Sequence, residues 1–190
     1  MLIKKNWSIK YIIGRIILFF YEFFFSNYPW ITFRAVKILK KNMKKKKSSF
    51  VEFGCGRSTV FFSKLCQFVL SIEHDIKWYQ KVRNEINKKK LTNVKLKLCE
   101  NRDDYINALD NYKNNTIDFI LIDGKSRGKI ANKVLQKIKI GGFLILDDAQ
   151  RYIDNNNENE WFQFKEKVKN WEYIPTDNWV SRTDLWKKII

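Results

Sequence analysis

From Ser49 onward the chain alternates short apolar runs with longer stretches of helical period, and no other feature restricts its fold as strongly. The runs read as strands over residues 49–53, 68–73, 94–98, 117–122 and 142–146. The segments between them, near 58–66, 75–89, 102–111 and 127–138, read as helices. Strands that are apolar almost throughout must be covered on both faces, which points to parallel β-α-β units with helices on either side of one sheet. The tail adds a helix near 158–169 and two strand-like stretches at 171–175 and 182–189. With 190 residues, the chain suits a single domain, residues 48–190, preceded by a helical appendage over residues 1–47.

That appendage holds much of the charge. The formal net charge is +17, and residues 1–47 carry 12 Lys and Arg against the single acid Glu22. The excess is therefore local, which favours a solvated or membrane-facing surface over a nucleic-acid groove. Tyr11 to Phe25 is strongly apolar, yet it is short for a spanning helix, contains Arg15 and Glu22, and lacks a small-residue cleavage site. Lys4, Lys5 and Lys10 precede it, and Lys40, Lys41 and Lys44 to Lys47 follow after a second helix begun by Pro29. This is the pattern of an interfacial helix, with a core helix or an oligomer contact as alternatives. Three cysteines, Cys55, Cys66 and Cys99, form no C-x-x-C pair, so a reduced cytoplasmic setting is expected, peripheral to the inner face of the membrane if the first helix is interfacial.

The first strand runs through Phe50-Val-Glu-Phe-Gly-Cys-Gly-Arg-Ser-Thr59 directly into a helix. Gly54 and Gly56 let the backbone turn tightly and approach a ligand, and Ser58 or Thr59 can cap the helix. The third glycine of a dinucleotide fingerprint is absent, with Thr59 in its place, and so is a phosphate-binding G-x-x-x-x-G-K loop. Glu73 ends the second strand 19 residues after Gly54, where a carboxylate can accept both hydroxyls of a ribose. Replacing it with Ala is expected to weaken cofactor binding with little loss of melting temperature. At the last two parallel strand ends stand Asp123 and the pair Asp147-Asp148, on the same rim as the glycine turn.

Together, Val51-Glu-Phe-Gly-Cys-Gly-Arg-Ser-Thr59, Ser71-Ile-Glu-His-Asp75, Asp118-Phe-Ile-Leu-Ile-Asp-Gly124 and Gly141-Gly-Phe-Leu-Ile-Leu-Asp-Asp148 resemble the successive motifs of class I S-adenosylmethionine-dependent methyltransferases. The resemblance spans residues 49–152 in the family's order. It implies an α/β Rossmann-like three-layer sandwich with a seven-stranded, mostly parallel sheet whose last strand is antiparallel. It also implies that Glu52, Ser58, Thr59 and the Gly54-Cys55-Gly56 backbone surround the methionine moiety, that Glu73 holds the ribose, and that His74, Glu100 and Asn101 flank the adenine. Cys55 reads as a small spacer rather than a nucleophile.

Asp123, Asp147 and Asp148 resemble the Mg²⁺-binding groups of catechol-type O-methyltransferases. In the alternative, Asp123 and Asp148 orient cofactor or acceptor without metal. Arg127, just past the Ile-Asp-Gly turn, is a candidate clamp for an anionic acceptor. Small bacterial enzymes resembling this chain are associated with surface-polysaccharide biosynthesis, so a sugar or other small-molecule hydroxyl is the expected acceptor. Two rivals are a nucleic-acid methyltransferase using the basic N-terminus and a non-catalytic scaffold of the same fold.

Overall fold

The computed structural model describes residues 8–25, 28–43, 47–152 and 159–189. Seven strands form one sheet: β1 (Ser49–Phe53), β2 (Phe68–Glu73), β3 (Val94–Leu98), β4 (Ile117–Ile122), β5 (Ile138–Leu146), β6 (Glu172–Asp177) and β7 (Arg182–Lys187). Their spatial order is β3-β2-β1-β4-β5-β7-β6. The first five run parallel, and β7 is inserted antiparallel to both β5 and β6. This is the expected α/β architecture, with the strand order reversing at β1/β4 and opening a crevice beyond the strand ends there.

The helices are α1 (Ile9–Phe24), α2 (Phe33–Asn42), α3 (Arg57–Ser63), α4 (Ile76–Lys88), α5 (Arg102–Ile106), α6 (Arg127–Val134) and α7 (Asn159–Val168). Alternate residues of the central strands feed separate cores. Val51, Phe53, Ile120 and Ile122 pack with Ile130 of α6 and Trp161 and Phe164 of α7. Phe50, Phe119, Leu121, Phe143 and Ile145 pack with Phe62 of α3 and with Ala35, Val36 and Leu39 of α2. The second helix therefore belongs to the domain, and a boundary at residue 47 cuts through its packing. Thr32 caps α2 and also binds Thr183 of β7, its backbone N–H donating to Oγ1 at 3.0 Å. Lys44 to Lys46, like Lys4 and Lys5, lie outside the described residues.

Three boundaries differ most from the sequence expectation, and the first is α5, which ends at Ile106 rather than near residue 111. The sixth helix stops at Val134, tightens into a 3-10 turn, and gives way to a strand starting four residues early, at Ile138. Lys137 is buried there, its ammonium donating to the carbonyls of Asp110 and Tyr112 at 3.1 and 2.7 Å, which fastens the turn to the neighbouring loop. The early residues of β5 are accommodated by a register shift against β4 between Ile117 and Phe119.

Candidate active site

The crevice of ≈720 Å³ at the switch point is lined by the turn after β1, the end of β2, the start of α4 and the turn after β4. Gly54 has φ +95°, and a side chain on it would press the Asp123 carbonyl at 3.0 Å, so the two turns touch at a position reserved for glycine. On Gly124 an added Cβ would lie 2.0 Å from the Tyr105 hydroxyl and 3.2 Å from the Phe53 carbonyl, so a side chain there would displace the tyrosine.

Glu73 is 2% exposed, and its carboxylate braces the crevice wall. Oε2 accepts the Cys55 backbone N–H at 2.9 Å, while Oε1 accepts those of His74 and Asp75 at 2.8 and 2.9 Å. Oε1 also lies 2.9 Å from His74 Nδ1, whereas Oε2 accepts only the Cys55 N–H among the described residues and keeps acceptor capacity on the crevice wall. Cys55, Gly56, Ser58 and His74 share this lining. Burial, reinforced by the charges of Glu73 and Glu52, raises the Cys55 thiol pKa far above its ordinary value, in keeping with a spacer.

Glu52 does not line the crevice. It is fully buried beneath the turn, where Ser58 and Thr59 each donate to it at 2.5 Å and Ser71 donates as well. The β1/β2 register places Ser71 directly beside it, and Thr59 in turn accepts the Gly56 N–H at 3.0 Å. Glu52 and Thr59 thus shape the glycine turn from below rather than contact a ligand. Burial lifts the Glu52 pKa from 4.5 to about 7, the three hydroxyls pulling it down and Glu73 adding to the rise. Below pH 4.5 both folded and unfolded chains hold the proton. As pH rises through 7 the unfolded chain ionises first, and the fold loses stability. Relative to Glu52→Gln, the wild type should lose roughly 2–3 kcal/mol between about pH 5 and about pH 8. Urea unfolding of both proteins across that range checks this, and parallel profiles would show that Glu52 is ionised at no cost.

The three aspartates expected to hold Mg²⁺ do not converge. Asp147 is 7% exposed and turned away, accepting from Thr183 Oγ1 at 2.8 Å. Asp148, in the left-handed region at φ +51°, pairs with Gln150 at 3.2 Å and Arg151 at 3.2 Å. Asp123 pairs with Arg127 at 3.1 Å. Among the described residues no group of three His, Cys, Asp or Glu is placed to share an ion. A guanidinium standing against Asp123 and the Asp147 carbonyl puts positive charge where the ion was expected, so this donor set does not fit a divalent cation.

Arg127 likewise departs from its expected role. Its side chain is 10% exposed, and Nε donates to the Gly124 carbonyl at 2.9 Å, Nη1 to the Asp147 carbonyl and Nη2 to Asp123 Oδ1 at 3.1 Å. With Tyr152 under its face at 5.3 Å, it staples the turns after β4 and β5 instead of reaching for an acceptor. Asp123 remains one-third exposed in the crevice lining. Burial raises its carboxyl pKa, Arg127 opposes that, and Asp148 and Glu52 add to it. Burial and the neighbouring Asp123 raise Asp147.

A side recess is lined by His74, Glu100, Arg102, Tyr105, Lys125 and Ser126. Asn101 is absent from it, because its side chain caps α5 through the N–H groups of Asp103 and Asp104. No local motif marks Tyr105, which is 1% exposed, packs beside His74, and has no protein partner for its hydroxyl. The crevice mouth is built from aromatic and basic side chains. There Trp30 stacks on Trp78 at 6.4 Å, Arg57 lies 4.9 Å over Trp30, and Lys81 lies 4.3 Å over Trp78. Trp78 donates its indole N–H to the Cys55 carbonyl, which secures it to the glycine turn. Only the local pattern Trp-x-x-Lys at 78–81 hinted at such a cluster.

No protein-family model matches the chain, and no curated protein matches it by sequence. Solved structures do share its fold. A Staphylococcus aureus protein described as a caffeoyl-CoA O-methyltransferase superposes with TM-score 0.62 at 14% identity, over 92% of this chain and 91% of that one. A Streptococcus mutans protein described as a methyltransferase, solved with SAH, gives TM-score 0.61 at 16% identity, over 84% of this chain and 100% of that one. An rRNA methylase from Streptococcus thermophilus gives TM-score 0.61 at 14% identity, over 83% and 95% respectively. At these identities the likeness concerns the fold, which is the Rossmann-like fold of methyltransferases.

Proposed function

We propose that this chain is an S-adenosylmethionine-dependent methyltransferase acting on a hydroxyl of a sugar or similar small molecule. The observation that carries the reading is the single crevice wall shared by the Gly54 to Gly56 turn, Glu73, Asp123 and Gly124. The residues present fit the cofactor. Glu73 has acceptor capacity left for ribose hydroxyls, and Tyr105 offers a buried hydroxyl without a protein partner on the wall of the adjoining recess.

When bound, the cofactor supplies a sulfonium methyl group open to in-line attack by an acceptor oxygen. The glycine turn and Glu73 would hold it against the rim, and His74 packs against Tyr105 in the adjoining recess. Asp123, one-third exposed with a raised pKa, accepts the acceptor hydroxyl's hydrogen bond and then its proton. Arg127 keeps Asp123 in place. The paired indoles of Trp30 and Trp78, with Arg57, Lys77 and Lys81 around them, suit the apolar face of a sugar ring carrying an anionic group.

Adding S-adenosylhomocysteine to the purified protein should raise its melting temperature and give saturable heat in titration calorimetry. Absence of both would leave the chain a non-catalytic scaffold. Trp30→Ala should lower methyl transfer to an anionic sugar by about tenfold through KM, a loss of about 1.4 kcal/mol, with S-adenosylhomocysteine affinity unchanged. An equal loss of cofactor affinity would move Trp30 from the acceptor side to the cofactor side.

A further inference from the structure

We propose that α1 lies in the plane of an anionic lipid bilayer and docks the protein on it. At 3.6 residues per turn, Ile9, Ile12, Ile13, Ile16, Ile17, Phe19, Phe20, Phe23 and Phe24 fall within an arc of roughly 160° on this helix. Every one of them is exposed, from 41% at Ile12 to 77% at Ile9. The opposite side meets the domain: Gly14 is buried against the β6–β7 turn, where an added Cβ would lie 2.9 Å from Val180 and 3.0 Å from the Asn178 carbonyl. The helix is also secured at its far end, Phe25 meeting Tyr28 at 5.5 Å and Tyr28 meeting Phe61 of α3 at 5.0 Å. A helix serving only the core would turn its Ile and Phe face inward. Here that face is turned out while the helix stays attached.

Length and charge select the occupant. The 16 residues of α1 extend about 24 Å, short of the ~30 Å hydrocarbon core, and no described helix is long and apolar enough to cross a membrane. Lys10 and Arg15 are exposed and border the apolar arc on its two sides, where their heads can reach lipid phosphates while the arc enters the acyl region. Exposed Trp179, on the turn that receives Gly14, adds a ring suited to headgroup depth. A second copy covering the same arc would bring together two N-terminal segments that each carry 12 Lys and Arg against one acid.

The test uses the full chain in co-sedimentation with vesicles of phosphatidylcholine alone or with about one-third phosphatidylglycerol. Binding should be at least about tenfold stronger on the anionic vesicles and fall by about tenfold between about 0.05 and 0.5 M NaCl. The double substitution Ile16→Glu, Phe20→Glu at the centre of the arc should lose about a hundredfold. Should that protein not fold, Lys10→Gln, Arg15→Gln alters only exposed positions and should weaken anionic-vesicle binding several-fold. Equal or absent binding to both vesicle types overturns the proposal. So does a stable dimer that ignores vesicles and dissociates on the double substitution, which would give the face to a second copy.

Discussion

Arg127→Ala is expected to lower stability by about 2–4 kcal/mol and to cut methyl transfer at least about a hundredfold. The guanidinium donates to the carbonyls of Gly124 and Asp147 and to Asp123, and truncation leaves all three without it. Asp123 would then face Asp148 and Glu52 without its cation. Partial solvent access to Asp123 keeps the penalty below that of a fully buried pair. For a chain of this size the loss amounts to a melting temperature lower by roughly 5–15 °C. Arg127→Lys should recover only part of it, because an ammonium cannot reproduce the planar fork that meets three acceptors on two turns. A variant that melts normally and merely raises the acceptor KM would restore the anion clamp suggested by the sequence.

Glu73→Ala is expected to weaken S-adenosylhomocysteine binding by about 1.5–3 kcal/mol, roughly 10- to 150-fold, through loss of charge-assisted bonds to the ribose. The sequence alone suggests that this happens with little thermal cost. The structure revises that. The N–H groups of Cys55, His74 and Asp75 all donate to this carboxylate at a site 2% exposed, so their loss should remove a further 1–3 kcal/mol or so of stability. Calorimetry and thermal melting on the same variant separate the two effects. A lowered melting temperature with unchanged affinity would reduce Glu73 to a brace for the glycine turn.

Much of the fold is legible in the chain because its signals are local. Five apolar runs separated by helical period place β1 to β5 within a few residues, and Gly54 and Glu73 mark the switch-point crevice by spacing alone. The end of α6 and the early start of β5 are less legible, since Ile138 to Ile140 suits either a helix or a strand until it pairs with β4. The second helix reads as part of an appendage because a lysine run, Lys40, Lys41 and Lys44 to Lys47, closes it before the first strand. Its three buried residues, Ala35, Val36 and Leu39, acquire a partner only when β5 and β7 arrive beside it.

The sequence by itself determined the element order, the location of the glycine turn and the acidic residues at strand ends, because side-chain period and turn chemistry act over a few residues. Only the tertiary structure decided which of those polar groups meet a ligand and which are consumed inside the protein. Glu52 and Glu73 sit in similar surroundings in the sequence, each at or near the end of a strand. The register sets Glu52 beside Ser71, two residues before Glu73 on the same sheet face, so Glu52 sits one step deeper under Ser58, Thr59 and Ser71 while Glu73, at the strand end, reaches the crevice wall. Arg127, Asp147 and Asn101 are likewise claimed by carbonyls, a threonine and a helix cap, whereas Trp30, Trp78 and Tyr105 reach the crevice or its recess from three separate segments. A buried polar group must satisfy its bonds with whatever the fold brings near, and that neighbourhood is assembled from residues up to 151 positions apart.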